Sequence, residues 1–295
     1  MSKQGVLVIN KPQGMTSFDV LRRLKKVLHT KEIGHAGTLD PIATGVMVVL
    51  VGSGVKLSSY LLENDKTYVA GIFLGATSDT FDSTGKVTYL PKKELTLEDV
   101  KSACEMCVGT HDLTPPAFSA IHVNGVRAYD LARRGEEVVM AKRPMTLMDY
   151  EIIQFKSVDL GYQLTIKLHV SKGTYIRSIA YELGKIMDCG GLMNSLMRTA
   201  SGPFTLEDSY ELDEVTDETE LISNCEALMR RGMTIIPISE ELYKKVNNGQ
   251  YLSCEELKAC RDRVALSYHD DLVGIYDYDS EKNIWKVRRI WKLSI

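Results

Sequence analysis

One short stretch of the chain combines an acid, a histidine and a backbone suited to positioning them. Residues 34–45 read Gly-His-Ala-Gly-Thr-Leu-Asp-Pro-Ile-Ala-Thr-Gly, and Asp40 is the single acid among them. Glycine permits positive φ or a close backbone approach, and Pro41 disfavours helical geometry at the residue before it. We therefore expect Asp40 to lie on an extended or turn backbone. By composition alone, such a stretch is more typical of a solvated surface turn than of a chemical site.

Two later segments carry further side chains that are suited to chemistry. Residues 66–71 read Lys-Thr-Tyr-Val-Ala-Gly and begin a predicted strand that contains Tyr68. Residues 171–178 read Ser-Lys-Gly-Thr-Tyr-Ile-Arg-Ser and lead into a helix whose apolar positions begin at Ile176. Taken alone, a strand tyrosine is usually a packing residue, and Arg177 is a surface ion-pair residue of little energetic value.

Together these segments resemble the motifs of the TruB-type pseudouridine synthases. The stretch at 34–45 is similar to the active-site signature of that family, which makes it a specific twelve-residue match. Other family motifs are matched at residues 11–17, 66–68, 171–177 and 196–204. The resemblance implies an enzyme that isomerises one uridine, position 55, in the TψC loop of tRNA.

The resemblance also implies roles for individual residues. Asp40 corresponds to the essential catalytic carboxylate and Arg177 to its arginine partner, which would favour the ionised form of the acid. Tyr68 corresponds to a catalytic aromatic residue that stacks on the target base and is placed to remove a proton from it. The other expected substrate contacts are His35, which holds the turned-out nucleotide, Tyr175 and Leu196, which line the base pocket, and Lys11, whose motif supports the active-site loop.

The implied reaction breaks a C–N glycosidic bond, turns the uracil and rejoins it to the ribose through carbon. Nothing is added or lost, so we expect no cofactor and no metal, and the sequence shows no dinucleotide fingerprint or P-loop. Asp40 has three open routes: attack on C1′ of the sugar, attack on C6 of the base, or help in removing a sugar proton. The target base must first leave the RNA loop, at a cost of about a few kcal/mol that stacking partly offsets.

Composition favours a cytoplasmic protein with a local RNA-binding surface. The 295 residues carry a net charge of −3, but residues 207–220 contain eight acids and no base, so the remainder is net positive. We interpret this acidic stretch as a solvated connection that faces away from RNA. Neither a signal peptide nor an apolar run long enough to cross a bilayer is evident.

The six cysteines are scattered and predict no disulfide framework. Cys104 and Cys107 form a CxxC pattern, but they fall at helical spacing with Val100, in a helix that Thr96 is placed to cap. We therefore interpret both cysteines as small core residues rather than as a zinc or redox site.

The resemblance implies an α+β fold with a mixed, mostly antiparallel central sheet, flanking helices and loops, and a small β-rich PUA-like domain at the C-terminus. We expect the pseudouridine synthase catalytic domain at residues 1–232, with a thumb segment at about 112–145, and the PUA-like RNA-binding domain at 237–295. Periodicity predicts strands at 5–10, 46–51 and 163–170, and helices at 18–28, capped by Ser17, and from 176 to 187.

Residues 115–135 resemble the thumb of stand-alone bacterial members, which favours such an enzyme over a guide-RNA-dependent relative. His122 stands where the family usually has lysine, so a phosphate contact there would be weaker and dependent on pH. We expect tRNA as the partner, through its T-arm, with no guide RNA, no membrane and a monomeric state. Two alternatives stay open: an RNA-binding or chaperone protein without turnover, and a glycosidase-type hydrolase that uses Asp40 with Asp79 or Asp82.

Overall fold

A computed structural model describes residues 3–119, 121–123, 125–135, 138–257 and 262–292, apart from the side chains of residues 127, 132 and 133. Within these residues the chain forms a ten-stranded sheet, a five-stranded sheet and two small two-stranded ribbons. The strands are β1 (Gly5–Lys11), β2 (Ile33–His35), β3 (Thr44–Val51), β4 (Lys66–Leu74), β5 (Ala76–Ser78), β6 (Val87–Tyr89), β7 (Gly109–Leu113), β8 (His122–Val123), β9 (Val126–Arg127), β10 (Arg143–Val158), β11 (Gly161–Val170), β12 (Gly191–Ser201), β13 (Phe204–Thr205), β14 (Tyr210–Glu211), β15 (Ile235–Pro237), β16 (Leu252–Ser253), β17 (Arg263–Tyr268), β18 (Asp271–Asp279) and β19 (Ile284–Ile290).

Seven helices lie within the described residues. They are α1 (Ser17–Val27), α2 (Ser58–Leu61), α3 (Leu97–Cys107), α4 (Ala128–Arg133), α5 (Ile176–Ile186), α6 (Asn224–Arg230) and α7 (Glu240–Asn247), with 3₁₀ turns at Gly52–Leu57 and Leu206–Asp208. None of the helices in the described ranges is long and apolar enough to span a membrane.

The large sheet has the strand order β14-β1-β3-β12-β4-β11-β10-β7, with β2 paired to β3 and β13 paired to β12. Two pairs run parallel, β1 with β14 and β12 with β3, and the other pairs of this sheet are antiparallel. The predicted mixed, mostly antiparallel sheet is therefore confirmed.

The central strands are buried on both faces, which explains their continuous apolar sequences. In β1, Leu7 and Ile9 belong to a core that includes residues of α1, α3 and α5. Val6 and Val8 point into a second core that extends to α6 and the five-stranded sheet. A strand covered on both sides reads as an uninterrupted run of Val, Ile and Leu rather than as an alternation.

Capping residues set the starts of two helices that the sequence predicted. Thr16, not Ser17, caps α1, and it forms a reciprocal capping box with Asp19. The predicted cap was wrong by one residue because Ser17 is the first helical residue and its hydroxyl has another use, described below. For α3 the predicted cap at Thr96 is confirmed.

The two cysteines of the CxxC pattern lie in the core, as predicted. Cys104 and Cys107 are buried on the inner face of α3. Burial raises the pKa of Cys104 to about 12 and that of Cys107 to about 11, so both stay protonated thiols at neutral pH. The described residues also contain no group of three or more His, Cys, Asp or Glu arranged to hold a metal ion.

The five-stranded sheet forms the β-rich C-terminal part and shares a core with the large sheet. Its order is β15-β17-β18-β19-β16, and β15 runs parallel to β17. Ala265 and Ile275 pack in the same apolar cluster as Val8, and the indole of Trp291 donates to the carbonyl of Ser53 at 3.0 Å. Helix α7 was not predicted from the sequence.

The prediction that the acidic stretch at 207–220 is a solvated connection is only partly correct. Many of its side chains are exposed, but Tyr210 and Glu211 form β14 and extend the edge of the large sheet beside β1. Leu212 and Val215 are buried in the main core, and Asp213 pairs with Arg23 of α1. The stretch is therefore a structural edge of the sheet rather than only a solvated connection.

Candidate active site

Asp40 lies on an irregular loop between β2 and β3, as its sequence predicted. Its carbonyl accepts a hydrogen bond from the N–H of Ala43 at 3.0 Å, which closes a turn directly after it. The N–H of Gly14 donates to the carbonyl of Pro41 at 2.8 Å, so the 11–17 segment braces this turn. The loop is thus held by backbone contacts on both sides of the acid.

A second anchor comes from helix α1. The Ser17 hydroxyl accepts from the N–H of Leu39 at 2.9 Å and lies 3.1 Å from the carbonyl of the same residue. The Leu39 side chain is itself buried in the main core. Asp40 therefore follows a residue that is fixed by both its backbone and its side chain.

Gly45 ends the motif at a point where no side chain fits. Its φ is +95°, and a Cβ atom there would lie 2.2 Å from the carbonyl oxygen of Arg198 on β12. Residues Thr44 and Gly45 pair with Met197 and Arg198 in the parallel junction of β3 and β12. The glycine lets these two strands approach closely directly behind the Asp40 loop.

Arg177 of α5 contacts the Asp40 carboxylate directly. Its Nη2 atom lies 3.0 Å from Oδ2 and 3.2 Å from Oδ1 of Asp40. The Arg177 side chain is 5% exposed, and its Nη2 also donates to the carbonyl of Phe118 at 3.1 Å. Two residues far apart in sequence are thereby joined in one charge-assisted contact.

Asp82 shares the same guanidinium, a contact that the sequence did not predict. Its Oδ2 atom lies 3.5 Å from Nη1 of Arg177. Its Oδ1 accepts from the Thr80 hydroxyl at 2.8 Å and from the N–H and hydroxyl of Thr84 at 2.9 and 2.5 Å. Asp79 instead accepts from the N–H of Lys86 at 2.8 Å. Asp82 is therefore held by residues of its own turn and also contacts Arg177.

Opposing effects act on the ionisation of Asp40. Burial raises the pKa of this carboxyl above its usual value, and Arg177 opposes the rise through its charge. Asp82 adds to the rise, whereas Lys11 and the hydrogen bond from Arg177 lower the pKa. The expected stabilisation of the ionised form by Arg177 is present, but the net direction is upward because burial is the larger effect.

A cavity of about 300 Å³ opens beside Asp40 and brings together most of the expected site residues. Asp40 and Arg177 form part of its wall, together with Tyr68 of β4, a residue that is 7% exposed. The other lining residues named by the sequence are Tyr175 and Leu196. Burial raises the pKa of Tyr175, which keeps its phenol protonated.

Lys11 and His35 are not among the residues that line the cavity. Lys11 is fully buried, and its ammonium donates to the carbonyls of Pro12 and Met15 at 2.9 and 2.6 Å. Burial lowers its pKa to about 8. His35 ends β2, and its Nδ1 atom is buried with no hydrogen-bond partner among the described residues. Burial also lowers the pKa of His35.

Two further basic residues of the cavity were missed by sequence reasoning. Arg198 is 1% exposed and donates to the carbonyls of Val46 and Gly37 at 2.6 and 3.1 Å. Lys66 donates to the carbonyls of Leu62 and Asn64, and burial lowers its pKa to about 8. Arg198 lies two residues after the buried Leu196 on β12, so strand alternation would have placed it inward.

The segment predicted as a thumb begins beside the Asp40–Arg177 pair. The Ser178 hydroxyl, next to Arg177 on α5, donates to the carbonyl of Thr114 at 2.7 Å. Further along, β8 and β9 form a short hairpin, and His122 on it is exposed. The thumb prediction also covers Ala120, Asn124 and the side chains of Arg127 and Arg133, which lie outside the described residues.

Two family models match consecutive parts of the chain. Residues 25–176 match the model of the TruB family pseudouridylate synthase N-terminal domain, and residues 177–238 match that of the tRNA pseudouridylate synthase B C-terminal domain. The chain belongs to the TruB family of pseudouridylate synthases. It is therefore an enzyme of an isomerase family, and the predicted membership is confirmed.

Curated TruB relatives match nearly the whole chain. The tRNA pseudouridine synthase B of Clostridium kluyveri is 38% identical over 274 residues, which cover 90% of this chain and 91% of that protein. The enzyme of the same name from Bacillus anthracis is 34% identical over 286 residues, covering 93% of this chain and 92% of the relative.

Two solved structures resemble this chain over nearly its whole length. A chain of an H/ACA RNP bound to a substrate RNA containing 2′-deoxyuridine superposes with a TM-score of 0.71 at 20% identity, over 98% of this chain and 85% of that one. A chain of a Cbf5-Nop10-Gar1 complex gives a TM-score of 0.68 at 22% identity, over 97% of this chain and 84% of that one. These likenesses establish the pseudouridine synthase fold.

Proposed function

We propose that this TruB family member converts the uridine at position 55 in the TψC loop of tRNA into pseudouridine. Asp40 is the catalytic carboxylate, Arg177 holds it, and Tyr68 stacks on the flipped-out base. The tRNA substrate is supported by the curated relatives, which are named tRNA pseudouridine synthase B and match about nine tenths of this chain.

The contact between Asp40 and Arg177 at the cavity wall carries the proposal. The Asp40 side chain is 35% exposed, so one face of the carboxylate can reach a ligand while the other is held by the guanidinium. The cavity adds the aromatic ring of Tyr68, and its size suits a single base. A base can reach Asp40 only after it has left the RNA loop, because the carboxylate lies within a concave site.

The reaction itself balances without any other reactant. The C1′–N1 bond breaks and a C1′–C5 bond forms, C5 loses its proton to solvent, and N1 gains one. Asp40 attacks C1′ or C6, or helps to remove a sugar proton, and Tyr68 is our candidate for taking the proton from the base. Among the described residues, neither Asp79 nor Asp82 lines the cavity, which disfavours a hydrolase that pairs one of them with Asp40.

We further propose how the rest of the molecule serves this reaction. Residues 1–232 act as the catalytic domain, residues 112–145 close over the T-arm as a thumb, and residues 237–295 act as a PUA-like RNA-binding domain. His35 and Lys11 support the turned-out nucleotide and the loop that carries Asp40. The enzyme acts as a monomer in the cytoplasm, where its tRNA substrate is found, and needs no guide RNA.

Release of tritium from tRNA labelled at C5 of uridine tests this proposal. Unmodified tRNA and an isolated T-arm stem-loop, without metal or nucleotide, should each release one equivalent of label. The matched control is a T-arm that carries cytidine at position 55 and the C5 tritium label at its other uridines. It should release no label. Tight binding of tRNA without release of tritium would instead indicate an RNA-binding protein without turnover. That result would refute the proposed function.

A further inference from the structure

Phe81 has a backbone conformation that its residue type rarely adopts. Its φ is +61°, in the left-handed region, where a bulky side chain is an outlier. Elsewhere in the described ranges, the non-glycine residues with positive φ are His, Asp or Asn, which tolerate this region better. Such a conformation persists only where its surroundings hold it. Phe81 therefore marks a turn that the fold enforces.

Backbone hydrogen bonds to β12 hold the turn from one side. The carbonyl of Phe81 accepts from the N–H of Met193 at 3.0 Å, and the N–H of Ser83 donates to the carbonyl of Met193 at 2.9 Å. Within the turn, the N–H of Phe81 donates to the carbonyl of Ser78 at 3.2 Å. The loop is consequently tied to a strand that also supplies residues of the catalytic cavity.

The turn directs both neighbours of Phe81 at one guanidinium nitrogen. The carbonyl of Thr80 accepts from Nη1 of Arg177 at 3.4 Å. The Oδ2 atom of Asp82 lies 3.5 Å from the same nitrogen. The other guanidinium nitrogen, Nη2, is the one that contacts Asp40. The loop therefore holds one side of Arg177 while Asp40 occupies the other.

The ring of Phe81 adds a second contact between this loop and α5. It stacks on Tyr181, with ring centroids 4.3 Å apart and planes inclined by 18°. Tyr181 follows Arg177 by four residues on α5, so the two side chains share one face of the helix. The loop thus contacts the helix at the guanidinium and again one turn later.

We propose that the stacked rings of Phe81 and Tyr181 are positioning residues for the reaction, which clamp the 78–84 loop onto α5 and so fix Arg177 against Asp40. This inference rests on the proposed function, because it is Asp40 that the clamp serves. The rings act through Thr80 and Asp82 rather than by contact with Asp40. Without the contact between the two rings, the Arg177 guanidinium can move away from the position in which it orients the Asp40 carboxylate. A displacement of a catalytic group by about 1 Å can lower the rate up to ~10²-fold.

Substitution of each ring tests the clamp from both sides. Phe81→Leu and Tyr181→Leu remove the stack from the loop and from the helix, and Tyr181→Phe retains it. Single-turnover tritium release from T-arm RNA gives the rate of the chemical step, and titration with RNA gives affinity. We expect each Leu variant to lower the single-turnover rate about tenfold with RNA affinity within twofold. Tyr181→Phe should retain at least half the wild-type rate, because it keeps the stacked ring.

A double-mutant cycle with Asp82→Asn separates this role from general stabilisation of the fold. In the Asp82→Asn background the contact between residue 82 and Arg177 is already weakened. If the rings act through Asp82, Phe81→Leu should therefore lower the rate less than threefold in that background. An undiminished tenfold loss in that background, or Leu variants with wild-type rates, would overturn the clamp. The Asp40→Asn variant is assayed alongside: if it turns over at the wild-type rate, the proposed function fails, whereas an inactive Asp40→Asn with fully active Leu variants refutes the clamp alone.

Discussion

Two loops present a carboxylate to the same arginine, and they do so in opposite ways. The loop at 36–43 offers Asp40, whose side chain is 35% exposed and faces a cavity. The loop at 78–84 offers Asp82, whose side chain is 5% exposed and whose Oδ1 receives three hydrogen bonds from its own loop. Arg177 lies between them, with one nitrogen toward each acid.

The difference between the two acids indicates a division of roles. Hydrogen bonds within the protein occupy Asp82, so its charge serves to hold Arg177 in place. Asp40 keeps one accessible face and is supported mainly through its backbone, so its carboxylate is available for a ligand. An acid that is satisfied by its own loop is a structural partner, and an acid left open beside a cavity is the candidate for chemistry.

Asp40→Asn should have the largest effect on turnover. We expect kcat to fall by more than ~10³-fold because the amide cannot act as nucleophile or base. The melting temperature of the Asp40→Asn protein should equal or exceed that of the wild type. Burial raises the pKa of Asp40 above that of the unfolded chain, so its ionised form opposes folding at neutral pH, and only protonation at low pH removes that cost. Tritium release, RNA titration and thermal melting check this; a drop in melting temperature would contradict it.

Arg177→Lys should come next, with a loss of about 10²-fold in kcat, because a single ammonium cannot hold both acids. Its pH profile gives the sharper test. Arg177 lowers the pKa of Asp40, so weakening it should raise that pKa further. Since the proposed reaction needs ionised Asp40, activity should be lost at higher pH on the acid side than in the wild type. A shift of that acid limb toward lower pH would be inconsistent with the assigned partnership.

Asp82→Asn should lower kcat about tenfold. It should also shift the acid side of the pH profile toward lower pH, opposite to the shift expected for Arg177→Lys. The charge of Asp82 raises the pKa of Asp40, so its removal should let Asp40 stay ionised at lower pH. Asp79→Asn is the matched control, because Asp79 accepts one backbone hydrogen bond in the same loop and does not contact Arg177. Equal behaviour of the two variants would show that Asp82 has no special link to the site.

Ser17→Ala should give the smallest effect, because it alters only the support of the Asp40 loop. The buried N–H of Leu39 loses its acceptor, which should cost about 1 kcal/mol in the free energy of unfolding. We expect kcat to fall about twofold, since the turn after Asp40 and the brace from Gly14 remain. Urea unfolding measures the first change and steady-state tritium release the second; a loss above tenfold would show that this anchor sets the geometry of Asp40.

Much of the fold was readable from the chain because its signals are local. The apolar runs of β1 and β3, the alternation along β11 and the helical spacing of α5 each depend on nearby residues, and each element formed near its predicted place. Helix α7 carried a comparable signal that was overlooked: Ser239 caps it, acids fill its first turn and lysines its last.

The site was predictable in part, for a physical reason. Motif resemblance named Asp40, Tyr68 and Arg177, and the structure places all three around one cavity. The contact of Asp82 with Arg177 depends on a left-handed turn at Phe81, a residue type that gives no sequence signal for it. Which acid an arginine pairs with is a long-range property that spacing within one segment does not encode.

The most direct test of this account compares single-turnover tritium release from one T-arm RNA by Asp40→Asn and Asp82→Asn. Both variants remove one negative charge from the same guanidinium, so they differ only in which loop loses it. The account predicts background release from Asp40→Asn and a rate within about a hundredfold of wild type from Asp82→Asn. Release by Asp40→Asn at a rate equal to that of Asp82→Asn would contradict the assignment of Asp40 as the catalytic carboxylate.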